Sequence, residues 1–171
     1  MISDSTLERI GNEHVEFAFD KSTGALVIVR KLATGDEYLQ AETDRQGPFA
    51  LYHDFTTEYV LLGEDTTSRK AGSDPADQAK QLFCPGEGGL VSYQREDTAK
   101  AKLLRIIYAD AAGQWRAELC ITLGAGEVSS LWNLSLTNTG DAPATYQCVF
   151  PLITGLNLGS GRSNLMVVND Q

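Results

Sequence analysis

The stretch HVEFAFDKSTGALVIVRKL, His14 to Leu32, decides the fold class. In HVEFAFD, Val15, Phe17 and Phe19 fall on one face of an extended chain and Glu16, Ala18 and Asp20 on the other, because side chains alternate with period two along a strand. KSTG then supplies a polar turn ending in Gly24, and ALVIVRKL follows as an apolar, β-branched run. Two such runs around a glycine-containing turn read as an antiparallel hairpin. ATGDEYL repeats the device, with Thr34-Gly35-Asp36 as the turn and Glu37 to Leu39 as a short strand.

The same period recurs along the chain, and helical periodicity hardly occurs. GPFALYHDF is a strand candidate with Pro48 at its first position, where a missing N–H costs least. GLVSYQRE, AKLLRIIYAD, WRAELCITL and VSSLWNLSLTN read as four long strands, joined by short Gly-containing connections such as DAAGQ and GAGE. In the last of them Trp132, Leu134 and Leu136 share an apolar face opposite Asn133, Ser135 and Thr137. TGDAP then turns the chain into TYQCVFPLIT. Residues 63–80, GEDTTSRKAGSDPADQAK, predict a long polar loop with one helical turn near Pro75 to Lys80, where Asp74 suits a cap and Pro75 the first helical position. Long strands with frequent turns predict an all-β, antiparallel sandwich over 1–171 as a single domain. Near the end, GLNLGSGRSNLMVVND gives a loop and a new apolar run, LMVV. A lone closing strand and a chain that continues past Gln171 both fit that pattern.

Bulk composition narrows the function classes. Of 171 residues, 42% are hydrophobic and 22% charged, ordinary for a globular protein. No apolar run approaches the roughly 18 residues of a membrane span, so no membrane partner is expected. The opening, MISDSTLERIGNEH, has no basic and apolar leader pattern; it fits a cytosolic chain and equally one whose leader was removed. Net charge is −9, from 23 acidic and 14 basic residues, which disfavours the clustered cations that phosphate backbones need. KAKLLR, Lys100 to Arg105, lies inside a strand pattern. No nucleic-acid partner is therefore expected, and an acidic surface is compatible with neutral ligands such as sugars.

Residues that carry most chemistry are scarce. His14 and His53 are the two histidines, and neither has a second histidine at metal spacing. His53 and Asp54 are neighbours, which point to opposite faces of a strand. No cofactor or metal is expected. Cys84, Cys120 and Cys148 show no zinc spacing; Cys120 and Cys148 read as buried thiols, with a disulfide between them as the alternative. No GxSxG occurs, GSGRSN lacks the Gly-Lys-Ser/Thr of a phosphate loop, and CPGEGG is a turn cluster. Glu16, Glu37, Glu58, Glu96 and Glu118 could supply a glycosidase pair, yet none has the apolar, aromatic setting that raises a carboxyl pKa. Trp115, at a strand start after AAGQ, reads either as core or as a ligand contact, and Tyr108 lies in a strand whose facing the pattern leaves open; these two are the candidates for an exposed aromatic row that stacks on a sugar ring. Asn133-Leu134-Ser135 is a glycosylation sequon in mid-strand, which reads as accidental.

Two stretches resemble a known family. NEHVEFAFDKSTGALVIVRKLATGDEYL, Asn12 to Leu39, resembles the opening of the β-supersandwich domains, of galactose-mutarotase-like fold, at the N-termini of large bacterial carbohydrate-active enzymes. Phe19-Asp20, Thr23-Gly24-Ala25-Leu26 and Gly35 carry the match. LWNLSLTNTGDAPATYQCVFPLITGLNLG, Leu131 to Gly159, resembles a second shared feature, a hairpin leading into Val149-Phe150-Pro151 and the glycines beyond. Together the stretches cover about a third of the chain.

The resemblance implies an N-terminal fragment of a larger glycoside hydrolase-like protein. Its catalytic carboxylates would lie in a downstream barrel or helical-toroid domain, the expected partner within the same polypeptide. No mutarotase acid/base motif of His and Glu is matched, so no catalytic residue is carried over. The expected function is a non-catalytic accessory domain that helps to shape a catalytic cleft. A free-standing carbohydrate-binding module using Trp115 and Tyr108, and a small sugar epimerase or lyase using His53 or His14 beside a carboxylate, are the alternatives.

Overall fold

The structure, a computed structural model, describes residues 4–39, 47–53, 80–83, 85 and 89–153. Among these the chain is all-β and antiparallel, with one 3-10 turn at Asp4–Thr6 and no α-helix. The strands are β1 (Leu7–Gly11), β2 (Val15–Asp20), β3 (Leu26–Lys31), β4 (Ala50–His53), β5 (Lys80–Phe83), β6 (Leu90–Asp97), β7 (Ala101–Ala109), β8 (Trp115–Gly124), β9 (Ser130–Asn138) and β10 (Gln147–Val149). They form three sheets, ordered β1-β2-β3, β10-β4-β5 and β6-β7-β8-β9. The helical turn expected near Pro75, the run LMVV, and the side chain of His53 lie outside the described residues.

One core joins the three sheets in a sandwich-like arrangement. Ile10, Phe17, Phe19 and Leu26 of the first sheet meet Leu104, Ile106, Leu119 and Ile121 of the third, with Phe49, Leu51 and Phe83 from the second. Period two selects these residues: the four-stranded sheet buries even positions on β7 and odd positions on β8. Trp132, Leu134 and Leu136 of β9 pack half-buried against this core, as their alternation predicts. The indole of Trp132 meets the ring of Phe17 edge-on at 5.3 Å. The first sheet is also covered on its second face, where Leu7, Ala18, Ala25 and Val27 make a smaller cluster.

The β2–β3 hairpin is held by its own turn chemistry. Asp20 Oδ1 accepts from the backbone N–H groups of Ser22 at 2.8 Å and Thr23 at 3.1 Å, while Gly24 N donates to Asp20 O. Two tyrosines of the four-stranded sheet reach this turn: Tyr93 Oη donates to Asp20 O at 2.7 Å and Tyr108 Oη to Gly24 O at 3.0 Å. Burial pushes both phenols above the usual tyrosine range. For Asp20, burial works to raise the carboxyl, but the hydrogen bonds from Ser22 and Thr23 outweigh it and hold the pKa below 3.8. A depressed native pKa stabilises the fold above the unfolded value and loses that contribution as pH falls through the native one. Asp20→Asn is therefore expected to lower the urea midpoint near neutrality and to flatten its decline between about pH 5 and about pH 2. An undiminished acid decline in the Asp20→Asn chain would place the effect on another carboxylate.

The structure corrects several expectations. Glu37 to Leu39 is not a strand: Glu37 makes an isolated bridge to Arg30. TYQCVFPLIT yields only the three residues of β10, followed by a cis Phe150–Pro151 bond. β1 and β5 are additional strands. Cys120 and Cys148 are free thiols on different sheets, half-buried and exposed respectively, so neither the disulfide nor full burial holds.

Candidate functional site

An open groove of about 650 Å³ lies at the end of the four-stranded sheet. The β7–β8 turn supplies Gln114 and Trp115, the β9–β10 connection supplies Asn138 and residues 140–145, and Leu82 enters from β5. Each wall is set by local chemistry. Asp110 Oδ1 accepts from Trp115 N at 2.7 Å and closes the β7–β8 turn, whose Gly113 takes the left-handed conformation at φ 69°. The β9–β10 connection is fastened to that turn: Thr139 N donates to Gln114 O and Thr139 Oγ1 to Gly113 O, both at 2.8 Å. Asn138 folds the connection over itself, donating to Ala142 O at 2.7 Å and accepting from Gly140 N at 2.9 Å.

This arrangement places each anticipated aromatic. Trp115 lies at the groove but is only 4% exposed, and Tyr108 is 1% exposed beneath Gly24. Neither offers a free ring face, so the exposed row anticipated at Trp115 and Tyr108 is not formed. The reason is parity: Trp115 shares its face with Ala117, Leu119, Ile121 and Leu123, and Tyr108 shares its face with Leu104 and Ile106. The accessible ring is instead Tyr146, 38% exposed and packed edge-on against Trp115 at 5.1 Å. Around this pair, the side chains of Gln114, Asp141 and Thr145 are exposed and make no hydrogen bond with another described residue. The groove can thus offer an amide, a carboxylate and a hydroxyl, with the ring of Tyr146 next to the lining residue Thr145, and no cationic side chain lines it among the described residues. Asp141 and Thr145 sit in a turn cluster with no periodicity, so alternation gives no signal for them.

Glu16, Glu37 and Glu118 are engaged in charge contacts, and Glu96 is exposed on β6. Glu16 pairs with Arg9 at 3.0 Å and Arg30 at 3.2 Å, and Arg30 also pairs with Glu37. Glu118 Oε1 lies 2.7 Å from Arg105 Nε, a charge contact without hydrogen-bond alignment. Arg95 donates to Asp97 and holds its carboxyl below the usual range. His14 belongs to the β1–β2 turn, where its backbone N–H donates to Asn12 Oδ1 at 2.9 Å, whereas His53 belongs to β4 in another sheet. Glu58 lies outside the described residues. In a smaller hollow of about 180 Å³, Asn12 Nδ2 donates to Gly124 O and Glu127 O, and Lys102 Nζ donates to Gly11 O. Among the described residues no three His, Cys, Asp or Glu side chains come together to hold a metal ion. Comparison of the chain with family models, with curated proteins and with solved structures gave no match.

Proposed function

We propose that this chain is a non-catalytic accessory β-sandwich domain of the supersandwich, galactose-mutarotase-like kind, from a glycoside hydrolase-like protein, and that its groove receives a neutral saccharide. The lining of the groove carries the reading. Gln114, Asp141 and Thr145 are donors and acceptors with no hydrogen-bond partner among the described residues; Trp115 lines the groove beside them, and Tyr146, packed on Trp115, follows Thr145. Sugar hydroxyls exchange hydrogen bonds with such groups, and the apolar face of a pyranose covers an aromatic ring. The net charge of −9 adds that an anionic ligand would be repelled. The resemblance of Asn12 to Leu39 and Leu131 to Gly159 to supersandwich domains supports a catalytic partner downstream in the parent protein.

Affinity electrophoresis against a panel of neutral polysaccharides tests this. The chain is expected to be retarded by at least one of them, and Tyr146→Ala to weaken that binding about tenfold, the worth of one aromatic contact. Binding that survives both Tyr146→Ala and Asp141→Ala would move the ligand away from the groove. Turnover of a sugar by this chain alone, lost in His53→Ala, would favour the epimerase or lyase alternative.

A further inference from the structure

Among the described strands β9 lies at an edge, with unusual chemistry. Among the described residues it pairs only with β8, and its nine residues, SLWNLSLTN, contain no charge and no proline. Edge strands are ordinarily blunted by Lys, Pro or inward charges, because their unpaired N–H and C=O groups recruit another strand. The opposite edge follows that rule: β6 ends in Arg95, Glu96 and Asp97, and Arg95 is bonded to Arg9 O at 3.0 Å.

The ladder phase shows which groups β9 presents. Thr139 N donates to Gln114 O, and antiparallel alternation makes Thr137–Arg116 and Ser135–Glu118 the next hydrogen-bonded pairs. The N–H and C=O groups of Trp132, Leu134 and Leu136 therefore point out of the sheet edge.

We infer that two copies of this chain join through β9, antiparallel about a two-fold axis at Leu134, so that their four-stranded sheets become one. This register is self-complementary. Trp132 meets the other copy's Leu136, Leu134 meets its own copy, and Leu131, 61% exposed in the single chain, meets Thr137. Copies carrying −9 each repel, and β9 brings no charge of its own to the contact. The flanking acids, Glu127 and Asp141, are exposed at the strand ends, where salt screens them.

Sedimentation velocity of the 171-residue chain at about 100 μM tests this, since association is concentration-dependent. A mass near twice 18.6 kDa is expected. Asn133 and Ser135 are exposed and face each other across the proposed axis. N133K/S135K places lysines opposite lysines and is expected to weaken dimerisation about tenfold, whereas N133E/S135K opposes unlike charges and keeps it. Circular dichroism of both variants confirms that the fold is retained. A wild-type monomer at that concentration, or equal dimerisation of the two charge variants, would overturn the inference.

Discussion

Gly24→Ala is expected to cost about 2–5 kcal/mol of folding stability, from backbone strain and overpacking together. Gly24 has φ 71°, where an L side chain is strained, and a Cβ placed there would lie 2.2 Å from Tyr108 Cε1. That ring cannot step aside, because it is buried, bonded to Gly24 O and packed edge-on against Phe49 at 5.4 Å. Against a total stability of about 5–15 kcal/mol, such a loss moves a urea midpoint far outside error.

Tyr108 variants separate the contributions. Tyr108→Phe keeps the ring and removes the donor to Gly24 O, at an expected cost of about 1–3 kcal/mol for the stranded carbonyl. Tyr108→Leu removes the part of the ring that the new methyl would strike. Gly24→Ala should then cost about 1–3 kcal/mol less in that background than alone, leaving mainly the backbone strain. Purely additive costs would mean that the strain is confined to the turn and that Tyr108 is not its partner. The pair also sets an alkaline limit. A raised tyrosine pKa stabilises fully below the unfolded value of 10.0, and the contribution is lost as pH rises above it.

The hairpin was legible in the sequence because every level agreed: alternation in β2, an Asp-containing turn, and glycine where φ is positive. The four long strands were legible for the same reason, one wet face and one dry. β1 was missed because Leu7 and Ile10 serve opposite faces, Leu7 in the small outer cluster and Ile10 in the main core. A strand buried on both sides does not alternate. β5 failed similarly, since Leu82 and Phe83 are adjacent apolar residues at the end of a polar run. At the candidate site the local pattern leaves alternatives open. Trp115 follows a polar turn, which fits both core and ligand contact, and its parity with Leu119 decides for the core. Tyr146 precedes a strand of only three residues, so its exposure depends on tertiary contact with Trp115 and no local pattern encodes it.

Phe49 links the smallest sheet to the rest, and its removal should act selectively. The ring is fully buried and meets Phe83 of β5 and Tyr108 of β7 edge-on, each at 5.4 Å. Phe49→Ala is expected to cost about 3–5 kcal/mol through lost transfer energy and the cavity left behind. Phe49→Leu keeps most of the volume and should lose little more than the two ring contacts, about 0.5–1.5 kcal/mol each. The β10-β4-β5 sheet has short strands, and Leu51 and Phe83, with Phe49 just before β4, tie it to the core. Sub-global opening should therefore concentrate there. Amide exchange at Leu51 and Tyr52 is expected to accelerate more than exchange at Ile106 or Leu119 in the centre of the large sheet. Leu82 of β5 lines the groove, and Tyr146 immediately precedes β10. Loosening this sheet should then weaken saccharide retention in Phe49→Leu, even though Phe49 is not part of the groove lining. Uniform acceleration across all three sheets would instead show one cooperative unit, with the groove no more sensitive than the rest of the fold.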